Sequence, residues 1–148
     1  MHYGSDYEGA RFYKVDLQVQ TPGDRLHWAE PETSIHALGD QGAADALIRR
    51  CYEEGLEAIA VTDHNFASKD FIPFLRAAAR SLAPEFGYRL IIFPGFEIRA
   101  DVGLGCHVLG IFEPDADLDT IHHLVTACGV PMPRFAAGGA AGSTKRLP

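Results

Sequence analysis

Five residues, Ala58-Ile59-Ala60-Val61-Thr62, run without a charge and stop at Asp63-His64-Asn65. So short an apolar run fits a strand buried on both faces, and such strands belong to sheets covered by helices. The flanks agree. On one side Ala44, Leu47, Ile48 and Cys51 recur at helical spacing, which predicts a helix from about Gly42 to Glu54 with Gly55 as its stop. On the other, Phe71, Phe74, Leu75, Ala78 and Leu82 form one stripe of a helix expected over about Lys69 to Leu82. Ser68 or Asp70 is its expected cap, and Pro73 is tolerated in its first turn.

The remaining elements extend this alternation. Tyr13, Val15, Leu17 and Val19 alternate with polar residues over Phe12 to Gln20, a period-two strand. A long polar connection, rich in turn formers, follows from Thr21 to about Asp40 and carries His27, Trp28 and His36. Strands are expected at Leu90 to Phe93 and Cys106 to Phe112, and a helix at about Leu118 to Cys128. The order β-α-β-α-β-β-α predicts an α/β fold with mostly parallel strands, a sheet or part of a barrel. Residues 1–129 form one domain in this reading. After Gly129 the composition turns to Gly, Ala, Pro, Ser and basic residues, so 130–148 is expected to be a disordered tail or linker.

Charge and composition narrow the partners. The net charge of -7 gives no support to a basic nucleic-acid clamp, although a local basic groove would survive it. No apolar run approaches the roughly 20 residues of a membrane helix, and Met1 to Asp6 carries no signal-peptide pattern, so a membrane partner is not expected. Cys51, Cys106 and Cys128 are read as free thiols of a cytoplasmic protein.

The chemistry sits where strands end. Functional residues of α/β folds gather at the carboxyl ends of strands. Here strand one ends in Asp16-Leu17-Gln18-Val19-Gln20-Thr21, strand two in Thr62-Asp63-His64-Asn65, strand three leads into Pro94-Gly95-Phe96-Glu97, and strand four carries Cys106-His107. Burying an acid or imidazole without a partner is costly, so several such ends together point to a shared site.

Three stretches carry a family resemblance: Lys14-Val15-Asp16-Leu17-Gln18-Val19-Gln20-Thr21-Pro22, Gly55 through Asn65, and Pro94-Gly95-Phe96-Glu97-Ile98 followed by Gly105-Cys106-His107-Val108-Leu109-Gly110. In order and spacing they resemble the first three motifs of the PHP (polymerase and histidinol phosphatase) metallophosphoesterases, over roughly Tyr13 to Phe112. The resemblance implies a distorted (β/α)7 barrel that hydrolyses phosphate esters, of which this chain supplies the N-terminal part. It also implies divalent metal (manganese, zinc, iron or magnesium), up to three ions in the family and fewer here. Carried over residue by residue, Glu97 matches the bridging carboxylate, His107 and His64 match metal ligands, and Asp63 matches the motif's acid. Asp63 and Glu97 are thereby the candidate catalytic residues. His27 or His36, with His36 the first choice, stands in for the histidine after the first motif, and Arg99 is a candidate phosphate contact.

Two departures matter. The family's His-x-His is Gln18-Val19-Gln20 here, and its late Asp-x-His has no match after Phe112, since His122-His123 falls inside a helix. Residues i and i+2 of a strand share a face, so both amides occupy the histidines' places, but an amide is a weak ligand beside imidazole. For Gln18 and Gln20 the favoured reading is that they fill the site with hydrogen bonds and bind nothing. Cys106 is expected to face away from His107 into the core, with Cys51 and Cys128 as packing residues and His122 and His123 on a helix surface. Two functions follow. One is metal-dependent hydrolysis of a phosphate ester. The other is a catalytically inactive PHP module, docking or regulating within a polymerase- or ATPase-linked assembly.

Overall fold

The computed structural model describes residues 12–24, 38–100 and 105–130. His27, Trp28, His36 and the expected tail beyond Val130 lie outside them. The described chain runs β1 (Val15–Val19), α1 (Gly39–Glu53), β2 (Ala58–Val61), α2 (Ile72–Phe86), β3 (Ile91–Ala100), β4 (Cys106–Ile111) and α3 (Leu118–Ala127). This is the expected α/β order. The four strands lie in the sheet order β1-β2-β3-β4. β1, β2 and β3 are parallel, with Val15 opposite Ala58 and Ala58 opposite Ile91, whereas β4 returns antiparallel to β3. The sheet is thus mostly parallel, and its four strands leave β1 and β4 as edges.

All three helices pack on one face. Ile48, Cys51 and Tyr52 of α1 and Ile72, Leu75 and Ala78 of α2 close over Ile59, Val61 and Ile92 of the sheet. A smaller cluster joins Ile121 and Val125 of α3 to Phe96 of β3. Because strand residues alternate between faces, Ala58, Ala60, Phe93 and Glu97 point the other way. The Tyr52 ring stacks on Phe86, with centroids 4.6 Å apart. Its hydroxyl donates to the Ala79 carbonyl at 2.9 Å and accepts from the Leu90 N–H at 3.1 Å, tying α1, α2 and the start of β3 together. Gly55, at φ 70°, ends α1 in a left-handed turn, its N–H on the Tyr52 carbonyl and the Leu56 N–H on that of Cys51.

Three expectations need correction. β3 does not stop at Phe93 but runs to Ala100, so Glu97 lies within a strand. At Pro94-Gly95 the strand changes partner: Ile91 to Pro94 pair with β2, and Gly95 onward pairs with β4. Neither Ser68 nor Asp70 caps α2, whose N-cap is Phe71 without a side-chain bond. The Ser68 hydroxyl donates instead to the buried Asp63 carboxylate, a charged acceptor and so a strong partner. Third, Cys106 is exposed, because α3 packs over Phe96 and leaves the outer strand bare, whereas Cys51 is buried as its stripe implies.

Candidate functional site

β2 ends at Val61, but the chain keeps tracking β3. The Thr62 N–H donates to the Val19 carbonyl, the Glu97 N–H to that of Asp63, and the Asn65 N–H to that of Glu97. His64 and Glu97 thereby form a parallel bridge. Asn65 then adopts φ 64°, a left-handed conformation that asparagine tolerates better than most residues, and the chain leaves the sheet. Strand alternation sends Asp63 toward the helices and His64 toward Glu97.

Glu97 is the centre of the site. It is 1 % exposed. Oε1 meets His107 Nδ1 in a short contact and lies 3.7 Å from His64 Nε2, while Oε2 accepts from Gln18 Nε2 at 3.0 Å. Burial works to raise the Glu97 pKa, but the bonds from His107 and Gln18 and the nearness of His64 outweigh it and leave the carboxyl below its ordinary range. Gln20 Nε2 sits 3.2 Å from His64 Nε2. The structure therefore brings together Gln18, Gln20, His64, Glu97 and His107, from all four strands or their ends.

Asp63 is held elsewhere. Its Oδ1 accepts from the Thr21 N–H at 2.6 Å, and its Oδ2 from the hydroxyls of Thr21 (2.7 Å) and Ser68. Burial pushes its pKa up to about 6, against the Ser68 and Thr21 bonds that lower it. The carboxyl joins the end of β1 to the segment before α2. Arg99 is exposed on the same face as Glu97 and directly opposite His107 across the β3–β4 pair. Its guanidinium lies against Gly105 (φ 88°), so close that a Cβ there would sit 2.7 Å from Nε.

One member escapes sequence reasoning. Asp24, 2 % exposed, accepts from the His64 backbone N–H at 3.1 Å and contacts His64 Nδ1 at 3.0 Å. The only sequence signal is the turn Thr21-Pro22-Gly23-Asp24, whose Asp24 N–H returns to the Thr21 carbonyl at 2.9 Å. Thr62 Oγ1, on the Glu97 side of β2, is buried without a protein partner.

The donor set has the right chemistry for a borderline divalent ion, imidazole with carboxylate. Its arrangement does not fit one. Among the described residues no three His, Cys, Asp or Glu side chains are placed to hold a metal ion. Ligands must aim lone pairs at one point about 2.0–2.2 Å away. Here Glu97 Oε1 and Oε2 are spent on His107 and Gln18, and His64 Nε2 on Gln20. No helix among the described residues is long and apolar enough to cross a membrane. Compared with models of known protein families and with curated proteins, the chain matches none.

Proposed function

We propose that this chain is a PHP-type domain whose phosphoesterase site is degenerate, and that it works as a docking or regulatory part of a larger polymerase- or ATPase-linked assembly. The PHP assignment draws on the order and spacing of the motifs around Gln18, Asp63-His64, Glu97 and His107. A distorted barrel completed by further strands is part of that assignment. The observation that carries the functional half is the state of Glu97. The family's bridging carboxylate has both oxygens engaged by side chains of this chain, one of them an amide where the family has a metal-binding histidine. A reducing, cytoplasmic setting suits the three free thiols.

A second reading, metal-dependent hydrolysis of a phosphate ester, is favoured by Asp24. A carboxylate on Nδ1 orients an imidazole so that Nε2 faces the site, the support that metal-binding histidines commonly have. In that reading Glu97 and Asp63 are catalytic, and His64, Glu97 and His107 hold the ion.

Turnover separates the two. The chain is assayed on p-nitrophenyl phosphate and bis(p-nitrophenyl) phosphate with Mn²⁺, Zn²⁺, Fe²⁺ or Mg²⁺ added in turn. The expected result is hydrolysis no faster than the metal alone, unchanged by Glu97→Gln. Metal-dependent turnover abolished by Glu97→Gln would sink the docking reading and establish the hydrolytic one.

A further inference from the structure

We infer that the side-chain amides of Gln18 and Gln20 take the place of a cation in this chain, holding the Glu97–His64–His107 cluster together so that the fold stands without metal. A buried carboxylate needs compensation from charge or from hydrogen-bond donors. Glu97 receives it from Gln18 Nε2 at 3.0 Å on Oε2 and from His107 on Oε1. Gln18 is itself exposed, so the amide on Oε2 stands between the buried acid and solvent-exposed chain.

The second amide fixes the histidine. An amide nitrogen donates only, so His64 Nε2 is the acceptor in its 3.2 Å contact with Gln20. The ring proton then sits on Nδ1 and points at Asp24 Oδ2, 3.0 Å away. In this tautomer the Nε2 lone pair, the one a metal would need, already belongs to Gln20. A cation entering the cluster must break both amide contacts. From positions 18 and 20 it gains only amide oxygens in return, weak ligands compared with the imidazoles that the resemblance expects there. Gln18 in β1 and Gln20 one residue past its end are two residues apart, so the same stretch of chain delivers both amides.

The inference rests on the degenerate-site reading, and its test keeps the two apart. The full chain, dialysed against EDTA, is melted by circular dichroism and titrated calorimetrically with Zn²⁺ and Mn²⁺. Expected are a cooperative melt in EDTA, no rise in Tm on adding either ion, and identical titrations for wild type and Glu97→Gln. Gln18→His with Gln20→His should bind either ion about tenfold or more tightly than wild type. Gln18→Met keeps the side chain's length but removes its donor, and should lower Tm by about 3 °C or more. Uptake of an equivalent of metal by wild type, lost in Glu97→Gln, would overturn the inference, as would a Gln18→Met melt superimposable on wild type. Metal uptake without phosphate-ester turnover defeats this inference alone, whereas turnover defeats the docking reading as well.

Discussion

Asp63 and Glu97 are both buried acids, and their surroundings push them in opposite directions. Glu97 is held below the ordinary carboxylate range and Asp63 is raised to about 6 from 3.8. In the folded chain Asp63 keeps its proton at pH values where the unfolded chain has lost it. Its contribution to stability is complete below the unfolded value and is lost as pH rises through the folded one. The size is on the order of 2–3 kcal/mol. Asp63→Asn removes this titration. Urea unfolding from about pH 4 to about pH 7 should show wild type losing that much stability relative to the variant. A difference independent of pH would contradict the assignment. At this scale the sequence singles out Gln18, Gln20, His64, Glu97 and His107, and the structure places these five side chains together. Asp24 was not legible, because it follows a turn and reaches His64 only through tertiary contact. The destination of Asp63 was equally hidden, since it depends on tertiary contact that brings the Thr21 and Ser68 hydroxyls to its carboxyl.

β3 carries the site because it serves two partners in succession. The exchange happens at Gly95. A Cβ there would collide with the Gly110 carbonyl oxygen and press on the Val61 carbonyl oxygen at 3.2 Å and Thr62 Cγ2 at 3.3 Å. Backbone atoms cannot swing aside as a side chain would. Gly95→Ala should therefore cost about 2–4 kcal/mol in urea unfolding. A loss below about 0.5 kcal/mol would mean that β4 is not bound so closely. Helices and short strands were readable from periodicity, but this strand was not. Pro and Gly are turn formers in most settings, and only the return of β4 makes them strand residues here. α2 shows the same override, continuing past Leu82 through Pro84 to Phe86 before Gly87 ends it at φ 78°. Pro84 has no N–H for the Arg80 carbonyl, so the helix continues through it at the loss of one backbone bond.

Among the described residues the chain forms a sheet with helices on one face and β1 and β4 at its edges. Tyr13, two residues before β1, is 47 % exposed, Val15 and Leu17 within it are each 45 % exposed, and no described strand pairs with its outer side. An exposed apolar edge favours pairing with another chain. Light scattering should show concentration-dependent self-association, reduced in Leu17→Lys, with unfolding free energy altered by less than about 0.5 kcal/mol. A wild type monomeric at every concentration would remove the effect to be explained. The α/β class followed from the order of elements. The way the sheet ends did not, because closure of a barrel depends on strands that periodicity within these residues cannot supply.

The two partners of β3 also arrive by routes of different length. β4 folds straight back on it, Ala100 opposite Cys106, a hairpin closure of the kind completed in microseconds. β1 reaches its place beside Ala58 only across the whole of α1, a longer closure that entropy delays. By closure length alone, Glu97 meets His107 while its second oxygen is still in water. It gives up that water when β1 docks and brings Gln18. In that order the buried Glu97 is dehydrated late, by an exposed neighbour, Gln18.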